Sequence, residues 1–175
     1  NHKPVDGLWS LAERPGWLRL RAGIPAEGIM SARNTLTQRT VGPKCVSEVK
    51  LDLSGLKPGD RAGICAFQSG NIAVGAEMGS GGAVDVVLRR CDRDAKDEEI
   101  YRSRLGGDAL WLRLYYVFTP SEGEEADTVT ASWSEDGRDW HDCGYTLKMR
   151  FTLDLFTGYR TALYCYPASD GGGGY

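Results

Sequence analysis

The sequence predicts an all-β fold, an antiparallel β-sandwich or jelly roll, and three observations lead to this prediction. The chain of 175 residues shows almost no helical periodicity. Short stretches in which apolar and polar residues alternate recur along it, roughly a dozen in all. Turn sequences such as "GLKPGD", "GSGG", "LGGD" and "EDGRDW" separate these stretches. Many short strands divided by regular turns are typical of sandwiches and jelly rolls.

Each alternating stretch places its apolar residues on one face, which should pack against the core. In chain order, the core-facing sets are Val49, Leu51 and Leu53; Val84, Val86 and Leu88; Leu110, Leu112, Leu114, Tyr116 and Phe118; Val129, Ala131 and Trp133; and Met149, Phe151, Leu153 and Leu155. Residues 135–138 read EDGR, and an Asp-Gly pair tolerates the positive φ of a tight hairpin turn. We therefore expect a hairpin there, with Trp133 and Trp140 in the core on either side of it.

Composition and charge limit the possible partners of the chain. No linker divides it, and we treat residues 1–175 as one domain that is long enough to bury a sizeable core. The net charge is −3 and the pI is near 5.4, whereas a nucleic-acid-binding domain normally carries a basic excess. No apolar run approaches the about 20 residues that cross a bilayer. We therefore expect neither nucleic acid nor a membrane as a partner.

The sequence lacks the usual signatures of an active site. It contains no G-x-S-x-G, no H-E-x-x-H and no phosphate-binding glycine loop. It also lacks the closely spaced carboxylates that sandwich-fold glucanases carry on one strand. Glu77 stands alone, and a lone strand glutamate is typically an exposed face residue. We therefore predict no catalytic residue.

Cysteines and acidic segments bear on metals and cofactors, of which we predict none except a possible structural calcium ion. The five cysteines lack paired spacing and suit buried strand positions, while two histidines are too few for a Cys/His zinc site. "PSEGEEAD" at Pro120–Asp127 and "DRDAKDEE" at Asp92–Glu99 supply the carboxylates that calcium prefers, without the D-x-D-x-D pattern of a dedicated loop. The alternative is that both segments are solvated loops.

Aromatic and cationic residues alternate with the core set of one predicted strand. In "ALWLRLYYVF" the core set leaves Trp111, Arg113 and Tyr115 on the opposite face. Aromatic rings stack on the C–H faces of sugars, and guanidinium groups donate hydrogen bonds to sugar hydroxyls. These three residues are therefore candidate carbohydrate contacts. The alternative is that the rings cover the second face of the sheet against a loop.

"ARNTLTQRTVGP", residues 32–43, has the composition of a strand but no apolar face. Such a strand fits the rim or an open face of a sandwich. There Arg33, Asn34, Gln38 and Arg39 can donate hydrogen bonds to sugar hydroxyls or anchor the domain to a neighbouring one. The alternative is that the arginines pair with acidic residues and the amides bond to nearby backbone.

Two loop segments complete the candidate sites. Gln68 and Asn71 flank a glycine turn after "CAF" and are candidate carbohydrate contacts at a loop rim. "FTGYR" begins at Phe156, which we expect in the core. Tyr159 and Arg160 should then form a local pair.

Five motifs follow one another along the chain: "NHKPVDGLWSLAERPGWLRLRA", "ARNTLTQRTVGP", "KLDLSGLKPGDRAGICAFQ", "WSEDGRDW" and "FTGYRTALYCY". In this order they resemble the C-terminal β-sandwich module of glycoside hydrolase family 43 β-xylosidases and arabinofuranosidases. That module is concanavalin A-like and is also classed as carbohydrate-binding module family 91. The resemblance covers essentially the whole chain.

The resemblance implies an accessory function, because the catalytic propeller of these enzymes has no counterpart in the chain. It implies a non-catalytic module that binds xylan, arabinoxylan or xylo-oligosaccharides beside a family 43 catalytic domain in cis. The alternative is a structural domain that docks on that catalytic domain and completes its active site without binding sugar alone. The implied location is extracellular for a secreted cell-wall-degrading enzyme and cytoplasmic for an oligosaccharide-processing β-xylosidase.

Overall fold

The computed structural model describes residues 5–92, 97–153, 156–168 and 173–175, and these residues form an antiparallel β-sandwich. The predicted fold class is therefore confirmed. The strands are β1 (Trp9–Ser10), β2 (Arg19–Leu20), β3 (Thr35–Arg39), β4 (Lys44–Asp52), β5 (Asp60–Phe67), β6 (Gly70–Met78), β7 (Val84–Asp92), β8 (Glu98–Arg104), β9 (Ala109–Val117), β10 (Thr128–Ser134), β11 (His141–Lys148) and β12 (Arg160–Pro167). Among the described residues, no helix has the length and apolarity to cross a membrane.

The strands are divided between two main sheets and one short pair. The six-stranded sheet has the order β3-β12-β5-β6-β7-β8, and the four-stranded sheet has the order β11-β10-β9-β4. The short pair joins β1 to β2. Consecutive strands β5 to β8 and β9 to β11 pair with one another, as is usual in antiparallel sheets.

The core lies between the inner faces of the two main sheets. Leu110, Leu112 and Leu114 of β9 share one cluster with Ile72 and Val74 of β6, and none of these side chains is exposed. Burying an apolar side chain of this size stabilises the fold by about 1.5–3 kcal/mol. The apolar sets predicted on β4, β7, β9 and β10 all contribute to this cluster, so these predictions are confirmed.

The strand predicted over "KMRFTLDLF" is wrong. β11 ends at Lys148, directly opposite Thr128, the first residue of its partner β10, and one further bond from the Met149 N–H to the Asp127 carbonyl oxygen closes the ladder. Met149 is buried, but the Phe151 and Leu153 side chains point away from the core and are exposed at 61% and 79%. Leu155 lies outside the described residues.

A second layer covers the middle of the outer face of the six-stranded sheet. Residues 21–34 cross this face, and Ala26, Ile29 and Ala32 join a small cluster there with Cys65 of β5. The outer face of the six-stranded sheet therefore contacts solvent mainly near the two ends of its strands.

The hairpin predicted between β10 and β11 is confirmed, with Gly137 at a φ of 75°. Trp133 is buried as expected, and its Nε1 donates a hydrogen bond of 3.0 Å to the Tyr101 hydroxyl. Trp140 is not part of the core. Its ring lies 3.6 Å from the Arg113 guanidinium on the outer face of the four-stranded sheet. All five cysteines are free, and four of them are buried.

Candidate docking and ligand-binding surfaces

Trp111 lies on the outer face of the four-stranded sheet, as predicted, and is half-buried by this chain's own groups. The Lys50 Nζ lies 4.5 Å from the centroid of the Trp111 ring. A Cβ at Gly137 would lie 2.9 Å from the Trp111 Nε1, so the backbone of the hairpin turn packs directly against the indole. Glycine is therefore required at this position for the close approach as well as for its positive φ.

The other two residues of this face also have partners. The Arg113 Nη2 donates a hydrogen bond of 2.8 Å to the Glu48 carboxylate, while the guanidinium lies over Trp140. The Tyr115 hydroxyl donates a hydrogen bond of 2.8 Å to the Glu124 Oε1. The three residues therefore share one face, as the sequence predicted, but each already bonds to or stacks on a neighbour.

Glu124 is the centre of a small polar cluster at the edge of this face. The Lys44 Nζ lies 2.5 Å from the Glu124 Oε2, and the Ser121 backbone N–H donates a hydrogen bond of 2.7 Å to the same oxygen. The hydrogen bond from Lys44, followed by those from Ser121 and Tyr115, lowers the pKa of Glu124 to about 2. This carboxylate therefore stays ionised in all but strongly acidic conditions.

The structure describes the two acidic segments considered for calcium to different extents. In Pro120–Asp127, Glu124 and Glu125 already pair with lysines, the latter with Lys148 at 2.8 Å. Asp92–Glu99 is described only at its ends, since residues 93–96 lie outside the described part of the chain. Among the described residues, no three histidine, cysteine or acidic side chains are arranged to hold a metal ion. Structural calcium remains a prediction.

β3 is the edge strand of the six-stranded sheet, which accounts for its lack of an apolar face. Asn34, just before it, donates hydrogen bonds from its Nδ2 to the carbonyl oxygens of Leu8 at 2.9 Å and Arg21 at 2.7 Å. The amide thus ties the N-terminal segment to the sheet. Arg33 precedes it and is exposed.

Gln38 and Arg39 lie at the exposed end of β3. Each stands directly opposite a residue of β12, Gln38 opposite Thr161 and Arg39 opposite Arg160. Since directly opposite residues of a ladder share a face, Arg39 and Arg160 lie side by side on the outer face of the six-stranded sheet.

Gln68 and Asn71 are both only 1% exposed and lie inside the β5–β6 turn. The Asn71 Nδ2 donates a hydrogen bond of 3.1 Å to the Gln68 carbonyl oxygen, and the Gln68 Oε1 accepts one of 2.9 Å from the Ser69 backbone. The structure therefore places these amides within the turn rather than at an open rim.

Large apolar side chains are exposed at one end of the sandwich, which we call the Phe156 end and which comprises residues 39–43, 149–153 and 156–160. Phe156 is 86% exposed, so the prediction that it lies in the core is wrong. Phe151, Leu153 and Val41 accompany it, with Val41 exposed at 68%. Monomeric proteins seldom leave several large apolar side chains together on one surface, and such patches usually mark interaction sites.

The segments of the Phe156 end are held to the sandwich by Tyr159. Its side chain is buried, and its hydroxyl donates a hydrogen bond of 2.6 Å to the Gly70 carbonyl oxygen. Its own carbonyl oxygen accepts a hydrogen bond of 2.9 Å from the Thr40 hydroxyl. The predicted local pair of Tyr159 with Arg160 is not formed, because their side chains leave the strand on opposite faces. Sequence reasoning missed this surface because alternating apolar residues indicated a strand.

The opposite end of the six-stranded sheet carries a network of ion pairs, which we call the Glu77 end. Glu77 was expected to be an exposed face residue, but its side chain is only 15% exposed. Arg61 lies 3.2 Å, Arg89 2.5 Å and Arg102 3.4 Å from its carboxylate. Arg102 also pairs with Asp85 at 2.7 Å. The carboxylate is therefore fully engaged by arginines.

A cavity of about 380 Å³ opens between the two main sheets beside β4. Its lining includes the apolar residues Leu51 and Leu163 together with Trp17, Lys50 and Tyr175. The sequence did not reveal this space, because it arises from how the segment before β2 lies across the edge of the sandwich.

Comparison with known proteins places the whole chain in one family. A family model described as the β-xylosidase C-terminal concanavalin A-like domain matches residues 1–175. A β-xylosidase of Formosa agariphila is 27% identical over 198 residues, which cover 99% of this chain and 30% of that protein. The chain therefore spans about a third of the length of this relative.

Solved structures resemble the fold closely. A bifunctional GH43-CE protein of Bacteroides eggerthii superposes with a TM-score of 0.88 at 34% identity, covering 99% of this chain and 22% of that one. A GH43 glycoside hydrolase engineered for both endo-xylanase and exo-arabinofuranosidase activity superposes with a TM-score of 0.86 at 25% identity, covering 99% of this chain and 36% of that one.

Proposed function

This chain belongs to the family of β-xylosidase C-terminal concanavalin A-like domains, and we propose that it is a non-catalytic accessory domain that docks in cis on a glycoside hydrolase family 43 catalytic domain. The chain covers only 22% and 36% of the two solved GH43 proteins that it resembles, so a domain of this type works within a larger enzyme. Docking on the catalytic domain is the function that the surface of the sandwich supports best.

The exposed apolar segment of the Phe156 end carries this proposal. Phe151, Leu153 and Phe156 are exposed at 61%, 79% and 86%, although Tyr159 and Met149 fix the segment to the core on both sides. Leaving these side chains in water forgoes roughly 1.5–3 kcal/mol for each of them. A neighbouring protein surface that covers them recovers this free energy.

The face predicted to bind sugar gives weaker support for a function than the exposed apolar segment does. Lys50 already lies against the Trp111 ring and Arg113 against the Trp140 ring, so a sugar ring competes with these cations for the same faces. Asn34, Gln68 and Asn71 use their amides within the fold. These rings and amides are therefore already engaged within the chain, whereas the apolar segment is not.

Hydrogen–deuterium exchange tests the proposal in the complete enzyme. We expect the backbone of residues 149–153 to exchange about tenfold more slowly in the complete enzyme than in the 175-residue chain, because docking adds a free energy that opening must overcome. The double variant Leu153→Ser with Phe156→Ser should abolish this difference. Leu11→Ser is the matched control, since Leu11 is 66% exposed on another part of the molecule. Equal exchange in both forms of the unmodified protein would refute docking through this end.

Xylan binding is the second candidate, favoured by the tryptophans near this face: Lys50 lies close to both the Trp17 and the Trp111 rings, and Trp140 stacks on Arg113. Calorimetric titration of the chain with xylohexaose and arabinoxylan tests it. Saturable heat that disappears in Trp111→Ala would support a sugar site on this face. A well-folded chain that gives no heat with either ligand would leave docking as the function.

A further inference from the structure

We propose that Arg39 and Arg160 form a carboxylate-binding site that receives an acidic side chain of the catalytic domain. This inference rests on the proposed docking and names the chemistry of the docked surface. It predicts that the surface facing the Phe156 end combines apolar contacts with at least one aspartate or glutamate.

The two arginines stand where a strand pair normally avoids like charges. Arg39 of β3 and Arg160 of β12 are directly opposite in the antiparallel ladder. Opposite residues have Cβ atoms about 4.5–5.5 Å apart, and like charges at this spacing are destabilising. An anion that lies between or over the two guanidinium groups relieves this repulsion.

No acidic residue of the described chain supplies that anion. The Arg160 Nη1 donates a hydrogen bond of 3.0 Å to the Thr37 hydroxyl, which is neutral. The side chain of Arg39 is exposed, and neither arginine makes an ion pair with the described residues. The Glu77 end of the same sheet shows the opposite arrangement, because each of its arginines has a carboxylate partner.

Arg160 also has an unused donor. Its Nε is buried and has no hydrogen-bond partner among the described residues, although the adjoining Nη1 is fixed by Thr37. Buried N–H groups are almost always paired, because an unpaired one loses its hydration without replacement. Because Thr37 already holds the Nη1, the guanidinium is ordered before a partner arrives, and a carboxylate is the ligand that its planar fork fits best.

The position of the pair favours a protein carboxylate over a sugar acid. Arg39 is followed within two residues by Val41, which is 68% exposed, and the Thr40 hydroxyl between them bonds to the Tyr159 carbonyl oxygen. The arginines therefore border the apolar segment of the Phe156 end. One protein surface can cover both, with an apolar centre and a charged rim, as is usual for interfaces.

The experiment uses the complete enzyme. It compares the double variant that carries both Arg39→Gln and Arg160→Gln against the control variant Arg104→Gln. Arg104 is 63% exposed and lies at the Glu77 end of the same sheet. We expect residues 149–153 to exchange about tenfold faster in the double variant and unchanged in the control, since loss of a charge pair weakens docking by about this factor. Protection in the unmodified enzyme should also fall between about 0.01 M and about 1 M salt, where the Debye length shrinks from about 30 to about 3 Å.

The outcomes separate this site from the docking itself. If Leu153→Ser with Phe156→Ser removes the protection but the arginine variant and salt do not, docking stands and the carboxylate site is refuted. If none of the variants changes the exchange of residues 149–153, both the carboxylate site and the proposed docking function are refuted. Titration of the 175-residue chain with a xylo-oligosaccharide bearing glucuronic acid tests whether the two arginines bind a sugar carboxylate instead. Binding that requires both arginines, and that the neutral oligosaccharide lacks, would assign the carboxylate to the substrate and overturn the protein partner.

Discussion

The two ends of the six-stranded sheet use the same residue types in opposite ways. At the Glu77 end, Arg61, Arg89 and Arg102 surround one carboxylate, and the network leaves Glu77 only 15% exposed. At the Phe156 end, Arg39 and Arg160 stand side by side without an acidic partner among the described residues. Val41, Phe151, Leu153 and Phe156 are exposed beside the second group.

The difference shows which surface of the domain is complete in itself. The network at the Glu77 end satisfies its charges within the chain and needs no neighbour. Among the described residues, the Phe156 end combines exposed apolar area with two arginines that have no acidic partner, and a partner surface can correct both at once. A single sheet can thus have one end built for stability and the other for association.

Among the variants at the two ends of the sheet, removal of the Glu77 carboxylate should have the largest effect on the free energy of unfolding. Glu77→Gln leaves three partly buried arginines without their central anion. We expect the free energy of unfolding to fall by about 3 kcal/mol, the cost typical of breaking a largely buried charge cluster. Urea unfolding of the 175-residue chain measures it.

Glu98→Gln is the control for that measurement, because Glu98 is 55% exposed and pairs with Arg90 at the surface. Its loss should cost less than about 1 kcal/mol, as is usual for surface pairs. Equal effects of the two variants would mean that the Glu77 end is held by packing rather than by its charges, and the contrast between the ends would be lost.

The anchor of the Phe156 end should have a smaller effect. Tyr159→Phe removes a hydroxyl that donates to the Gly70 carbonyl oxygen at 2.6 Å. We expect a loss of about 1 kcal/mol in the free energy of unfolding, since the ring still fills its place but one hydrogen bond is gone. The same variant should speed hydrogen exchange of residues 149–153 in the 175-residue chain. Unchanged exchange would show that the apolar segment is positioned without Tyr159.

Phe156→Ser should change the stability of the 175-residue chain by less than about 0.5 kcal/mol, because an exposed side chain contributes little to the folded state alone. Leu112→Ala, in the core, should cost about 2–5 kcal/mol in the same urea experiment. The two values together test whether Phe156 is kept for association. A loss above about 1 kcal/mol for Phe156→Ser would place its side chain in intramolecular packing instead.

The sequence predicted the sandwich and most of its core because period-2 alternation reports directly which face of a strand is buried. The sets on β4, β7, β9 and β10 follow this rule, and the Asp-Gly turn before Trp140 follows from the φ that it needs. The rule failed over residues 149–153, where the alternation is present but no neighbouring strand extends far enough to pair. Strand formation depends on a partner, which one stretch of sequence does not contain.

The candidate sites were harder to predict for a related reason. The exposed face of Trp111, Arg113 and Tyr115 followed from alternation, but their capping by Lys50 and Glu124 depends on contacts between distant strands and loops. The pairing of Arg39 with Arg160 depends on the register of β3 against β12, which joins segments over 100 residues apart along the chain. Side-chain environment across a sheet is set by topology rather than by local pattern.

The smallest expected effect concerns Glu124, an acidic residue of the loop that precedes β10. The bonds from Lys44, Ser121 and Tyr115 lower its pKa from 4.5 to about 2. A carboxyl whose pKa is lowered in the folded state stabilises the fold above its unfolded value, and this contribution disappears as the pH falls from about 4.5 through about 2. Glu124→Gln should therefore lower the urea midpoint slightly at neutral pH and flatten its decline in that acidic window.

Glu122→Gln in the same loop is the matched control and should keep the acidic decline, since Glu122 is exposed. The comparison also tests whether Glu124 serves the arginines of the Phe156 end. If Glu124 serves only to bond Lys44 and Tyr115, the double variant Arg39→Gln with Arg160→Gln leaves the acidic decline of the urea midpoint unchanged in the 175-residue chain. A decline that the arginine variant also flattens would mean that an acidic residue of this chain already neutralises the pair, and the need for a partner carboxylate would disappear.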